Sequence, residues 1–206
     1  LERRLARWSH LYQQALVQAT AHLAVLEQSA QVQAVDLEGQ EISERVDVDL
    51  WTQGGYSDLI QRSQALLAQL ESGMEHNNTR AVQQILSHDL PALREEFTDL
   101  VHQARMAVLS SQLRINIADL VVQSLEAQHF VFSEGHYDTE DMRRAYSASL
   151  KNLSGEEVVI QVHPRGNHSL DNDLHIISLD RSQSTEHDFR QRFLEIQSSL
   201  NDSGLV

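Results

Sequence analysis

The first apolar residues of the chain recur in alternating steps of three and four: Leu5, Trp8, Tyr12, Leu16, Ala19, Leu23, Leu26 and Ala30. Residues so spaced share one face of a helix, because a helical turn takes about 3.6 residues. The stripe predicts a helix from about Leu1 to Ala34, packed in a bundle or paired with a second chain as a coiled coil. No capping side chain precedes Leu1, so the helix is expected to continue upstream in a longer protein.

The pattern changes between Asp36 and Asp58. Asp36, Glu38, Glu41, Glu44, Asp47, Asp49 and Asp58 meet a single local counter-charge, Arg45. Gly39, Gly54 and Gly55 interrupt any helix, while Val46, Val48 and Leu50 alternate as in a short strand. An acidic connection over 36–58 is predicted, with room for a short hairpin. It is either a solvated loop or an acidic docking site for a basic partner.

Helical spacing then returns. Leu59, Ile60, Leu66, Leu67, Leu70 and Met74 predict a helix after Ser57, ended by Gly73 and the polar run His76–Thr79. A third helix should begin near Thr79. Pro91, with Asp89 near the cap, suits a first helical turn and predicts a break or kink. Beyond it Leu93, Phe97, Leu100, Ala104 and Val108, then Ile115, Ala118, Val122 and Leu125, predict one long helix to about Gln128 rather than two broken at Ser110–Ser111.

At Phe130 the period drops to two. Phe130–Phe132 forms a short strand; Tyr146, Ala148 and Leu150 alternate with polar neighbours, and so do Val158, Ile160 and Val162. Asn152–Gly155 is a turn joining the latter two into a hairpin. Leu174–Leu179 is a further strand. A closing helix from about Thr185 to Leu200 is expected to lay Phe189, Phe193, Ile196 and Leu200 on the sheet, with Gly204 past its end. The fold class is therefore α+β: long helices in a hairpin or bundle, followed by a small antiparallel sheet of about four strands with a closing C-terminal helix. The expected domains are a helical region over 1–128 and an α+β module over 129–206.

Composition narrows the functions. The apolar fraction is 41% and the aromatic fraction 5%, which suits Leu/Ala/Val-packed helices. A net charge of −14 repels phosphate backbones, and the one basic cluster, Arg3, Arg4 and Arg7, lacks interleaved aromatics; no nucleic-acid partner is expected. There is no cysteine, which excludes thiol catalysis, disulfides and Cys-type metal sites and fits a reducing, cytoplasmic setting. No stretch reaches the roughly 20 apolar residues of a membrane span.

The common nucleotide-binding and catalytic fingerprints are absent. The lone lysine, Lys151, is a poor Schiff-base candidate at a predicted strand end. His163, His168 and His175, with Asp171 and Asp173, form the one constellation with metal-ligand chemistry. If the flanking strands pair, His163 and His175 meet at the mouth of the loop. Their spacing matches no defined metal motif, so neither a metal nor a cofactor is expected. Glu134, His136, Asp138, Glu140 and Asp141 read as a hydrophilic hairpin loop, with an acid–base pair as the sharper alternative. The leading expectation is a non-enzymatic interaction or scaffolding module that binds a protein partner or self-associates through its N-terminal helix. A metal-dependent enzyme or regulator using the His/Asp loop, and a helical sensory domain, are the alternatives.

Overall fold

The computed structural model describes residues 2–36, 38–72, 78–166, 170–179 and 186–202. In chain order the elements are α1 (Glu2–Gln28), β1 (Gln31–Val35), β2 (Glu41–Asp47), α2 (Val48–Trp51), α3 (Gly55–Glu71), α4 (Thr79–Gln84), a π turn (Ile85–Asp89) and α5 (Leu90–Glu126). β3 (Val131–Tyr137), a 3-10 turn (Asp138–Glu140), β4 (Tyr146–Lys151), β5 (Glu157–Pro164), β6 (Asn172–Leu179) and α6 (Glu186–Asp202) follow. The fold is α+β, as expected. The chain divides into two compact units, Leu1–Arg105 and Met106–Val206. The division falls inside α5, upstream of the change of period at Phe130. Among the described residues no helix is long and apolar enough to cross a membrane.

In the first unit, α1 packs against α3 and α4. Ala15 and Ala19, small enough to let helices approach closely, join Leu70, Val82, Ile85 and Leu90 in the core, flanked by Leu11, Tyr12 and Leu16. Much of the α1 stripe is thus used within the unit, although Leu5 stays exposed. The Tyr12 hydroxyl donates to the Leu70 carbonyl, and the buried Tyr56 hydroxyl donates to the Leu26 carbonyl. Both acceptors lie in the last turns of their helices, where carbonyls lack helical partners.

Three expectations for this unit are corrected. α1 ends at Gln28 rather than Ala34, because Gln31–Val35 pairs with β2, setting Val32 against Val46 and Gln33 against Arg45. The region 36–58 carries the turn and second strand of a hairpin, for which room was expected, in place of a plain solvated loop. The Asp36 carboxylate accepts from the Gln40 amide at 2.8 Å to shape the hairpin turn. Asp47 caps α2 by accepting from Leu50 N at 3.0 Å, so Val48 and Leu50 are helical rather than extended. Asp49 accepts from Ser57 N at 2.7 Å. Glu41 meets Arg105 at 2.6 Å, a counter-charge from far along the chain. Finally, the helix does not break at Pro91, and the irregularity there is the π turn of Ile85–Asp89. Proline has no N–H and its ring crowds the carbonyl four residues back; the chain widens just before it, with Leu90 N–H donating to the Ile85 carbonyl, one residue further than an α-helix would. That wider turn keeps Val82, Ile85, Leu90 and Leu93 all buried despite the five-residue step from Ile85 to Leu90. The expected stop at Gly73 and His76, with the inward Met74, lies outside the described residues.

In the second unit the four strands form one antiparallel sheet in the order β3-β4-β5-β6. Alternation sets its faces. Leu150 and Ala148 of β4 and Val158, Ile160 and Val162 of β5 point inward, where they bury against Ala118, Val121 and Leu125 of α5, Phe130 and Ile196 of α6. α5 thus supplies much of the cover expected from the closing helix: Ile196 is buried as expected, but Phe193 is 49% exposed. The side chains of Phe189 and Leu200, the start at Thr185 and Gly204 lie outside the described residues. The other face of the sheet carries Glu134, His136, Ser147, Ser149, Lys151, Val159, Gln161, His175 and Ile177. His129, at φ 69°, takes the left-handed position after α5 that glycine usually fills, which lets Phe130 N–H donate back to the Leu125 carbonyl at 3.1 Å.

Candidate functional site

The predicted histidine constellation forms only in part. β5 and β6 do pair, Gln161 opposite His175 and His163 opposite Asp173. The His163 and His175 rings meet edge to face with centroids 5.2 Å apart. Asp173 is engaged by Arg165, whose Nε donates to Asp173 Oδ1 at 3.0 Å, and this guanidinium holds the Asp173 carboxyl below the usual carboxylate range. The Asp171 carbonyl accepts from Arg165 N at 3.0 Å. His168 lies outside the described residues. Among the described residues no three His, Asp or Glu side chains converge closely enough to hold a metal ion.

The second polar cluster does not converge. Glu134 and His136 belong to β3 itself, not to a loop, and are exposed on the outer face of the sheet. Asp138 and Glu140 lie in the 3-10 turn. Asp141 binds Arg143 at 2.8 Å, and the hydrogen bonds from that guanidinium lower its pKa to about 2. Lys151 sits at the end of β4, 3.7 Å from Glu157.

A different constellation, unread in the sequence, occupies the second unit. Arg114 on α5 is 2% exposed. Its Nη1 donates to Ser110 Oγ at 3.0 Å, one helical turn back, and to Asn172 Oδ1 of β6 at 3.4 Å. Its Nη2 donates to the Met142 carbonyl at 2.8 Å, while its buried Nε has no hydrogen-bond partner. Ser111 Oγ donates to the same Met142 carbonyl at 2.8 Å and contacts the Tyr137 hydroxyl, also at 2.8 Å; that hydroxyl donates to the Ser111 carbonyl at 3.0 Å. Tyr137 packs edge-on against Tyr146 with centroids 5.1 Å apart, and the Tyr146 hydroxyl lies where a Cβ on Gly135 would clash, so glycine makes room for it.

All the hydrogen-bond partners of Arg114 are neutral. Burial pushes its pKa down, opposed by Tyr137, yet a guanidinium remains charged at any physiological pH. Burying a cation without a counter-charge costs on the order of several kcal/mol, so the position needs a reason. The sequence held a signal: Arg114, Ala118, Val121 and Leu125 step by four, three and four along the buried face of α5. Following Ile115 and Val122 instead places the face one residue off and hides the charge.

Comparison with family models, with curated proteins and with solved structures finds no match for this chain. Function must therefore rest on geometry. The first unit contributes two further features. His22 on α1 is buried, its Nε2 has no hydrogen-bond partner, and desolvation followed by the nearby Arg94 charge lowers its pKa. An open groove of about 360 Å³ is lined by Val32, Phe97, Thr98, Val101, His102 and Arg105. Arg105 is already committed there, to Glu41 and to the Gln33 carbonyl at 2.9 Å.

Proposed function

We propose that this chain is a non-catalytic protein-interaction module that accepts an extended segment of a basic partner protein along β6. The observation carrying this reading is the state of the two sheet edges. β3 has a register shift between Phe132 and Glu134, a device that blunts an edge against further pairing. β6 runs in unbroken register with β5 from Asn172 to Leu179, and among the described residues it pairs on that side alone. Its outer side chains Ile177 and Leu179 are 41% and 51% exposed, beside Val159 in the neighbouring strand. A regular, apolar edge favours strand addition, in which main-chain hydrogen bonds give affinity and alternate side chains give specificity. The net charge of −14 favours a basic partner and speeds its encounter.

The test places a photo-crosslinking residue at Leu179, identifies the captured protein and measures its binding to the purified chain. Ile177→Lys should weaken binding by about tenfold or more, equivalent to about 1.4 kcal/mol, while Val17→Ser on the exposed side of α1 leaves it unchanged. Equal binding by both variants overturns the reading. Self-association through α1 is the second arrangement, favoured by the exposed Leu5; a concentration-dependent mass in sedimentation, abolished by Leu5→Asp, would support it.

A further inference from the structure

We infer that Arg114 is the receptor for a small carboxylate ligand, and that the β3–β4 loop, residues 138–145, closes the site by setting the Met142 carbonyl where one carboxylate oxygen would bind. This goes beyond strand addition at β6 and is independent of it. The side of a guanidinium formed by Nε and Nη2 grips a carboxylate through two parallel hydrogen bonds. In Arg114, Nη2 donates to the Met142 carbonyl, and the neighbouring Nε has no partner. Nη1 is meanwhile fixed from the other direction by Ser110 and Asn172, so the group is already oriented. Ser111 Oγ donates to the same carbonyl as Nη2, and Tyr137 positions that hydroxyl. One neutral oxygen therefore receives donors from a cation and a hydroxyl. A carboxylate would give the same oxygen contact, add the second oxygen that Nε lacks, and supply the missing negative charge.

The cover is built to yield. Thr139 and Glu140 are consecutive non-glycine residues in the left-handed region, φ 54° and 60°. A β-branched residue is strained there, and strain of this kind clusters at ligand clamps and switches. The Met142 side chain is 51% exposed, so the residue whose carbonyl closes the site is not anchored in the core. The burial of Arg114 under so short a loop restricts the guest to a few heavy atoms.

The probe is acetate, with chloride and inorganic phosphate as controls, followed by NMR on the Arg114 Nε–H resonance and by amide exchange of the loop. Acetate should shift the Nε resonance saturably, with a midpoint on the order of millimolar for so small a ligand. Exchange at the Asp141 and Arg144 amides, which donate to the Asp138 and Asp141 carbonyls, should quicken with it. Thr139→Gly relaxes the closed loop and should lower acetate affinity several-fold; in Arg114→Lys, which has no guanidinium Nε–H to observe, acetate should no longer quicken exchange at the loop amides. If Arg114→Lys fails to fold, Ser111→Ala replaces it and should weaken acetate several-fold. No saturable shift, a loop-amide response that persists in Arg114→Lys, or a response to phosphate and not to acetate overturns the inference.

Discussion

Among the described residues each unit buries one basic side chain, and the two solve the same problem in opposite ways. His22 in the first unit can give up its proton, and burial, with the nearby Arg94 charge, lowers its pKa. Arg114 in the second unit cannot, so it must be met by oxygen atoms, and one of its nitrogens is still unmet. A titratable group buried in a helical core therefore makes that core sensitive to acid. A permanently charged one makes its unit dependent on what surrounds it.

The strongest way to break this comparison is to damage one core and watch the other. Ile160 is fully buried in the second unit, and Ile160→Ala should cost about 2–5 kcal/mol. Hydrogen exchange should show the loss of protection confined to residues after Met106. If α1 and α3 lose protection equally, the units do not unfold separately. Arg114→Ala comes next, at about 1–3 kcal/mol, because it deletes the donors to Met142 and Asn172 inside the unit. Arg114→Met keeps most of the volume and should cost less, as denaturant titration of both variants would reveal.

Acid sharpens the contrast. The folded pKa of His22 lies below its unfolded value of 6.5, so the unfolded chain binds the proton first. Its contribution to stability is present above pH 6.5 and is lost as pH falls below it. Asp141 in the second unit moves from 3.8 to about 2, so its contribution persists until pH falls below 3.8 and is lost towards 2. Acidification from neutrality should thus loosen the first unit before the second. His22→Leu should remove the earlier step in pH-dependent melting, and an unchanged profile would refute the assignment. The smallest effect is expected at Phe193→Ala, about 1 kcal/mol, because half of the ring is in water already.

The sequence made the backbone of both units legible where one physical signal ruled. α3, α5 and the β4–β5 hairpin follow from apolar spacing, and Asn152 shapes the predicted turn by accepting from Ser154 N and Glu156 N at 3.0 Å. β1 was hidden because Ala30, Gln31 and Gln33 are compatible with a helix; pairing with β2 overrides that local preference. The carboxylates of 36–58 resemble a solvated run in composition, and only the fold reveals that Asp36, Asp47 and Asp49 hold backbone amides. The candidate site was the least legible part. Arg114 lies far along the chain from Met142 and Asn172, and the group that meets its Nη2 is a backbone carbonyl, which every residue possesses.

The π turn before Pro91 has a consequence in genetics. It holds one residue more than an α-helix needs, so the Ile85–Leu90 step of five would become an ordinary four if one codon between them were lost. Deleting Ser87 alone would leave Pro91 inside a regular helix with no widened turn to accommodate its ring. Combined with Pro91→Ala, the same deletion restores a plain helix with Val82, Ile85 and Leu90 still facing the core. The two changes should therefore behave as a defect and its suppressor, a relationship that a selection for folded protein would recover.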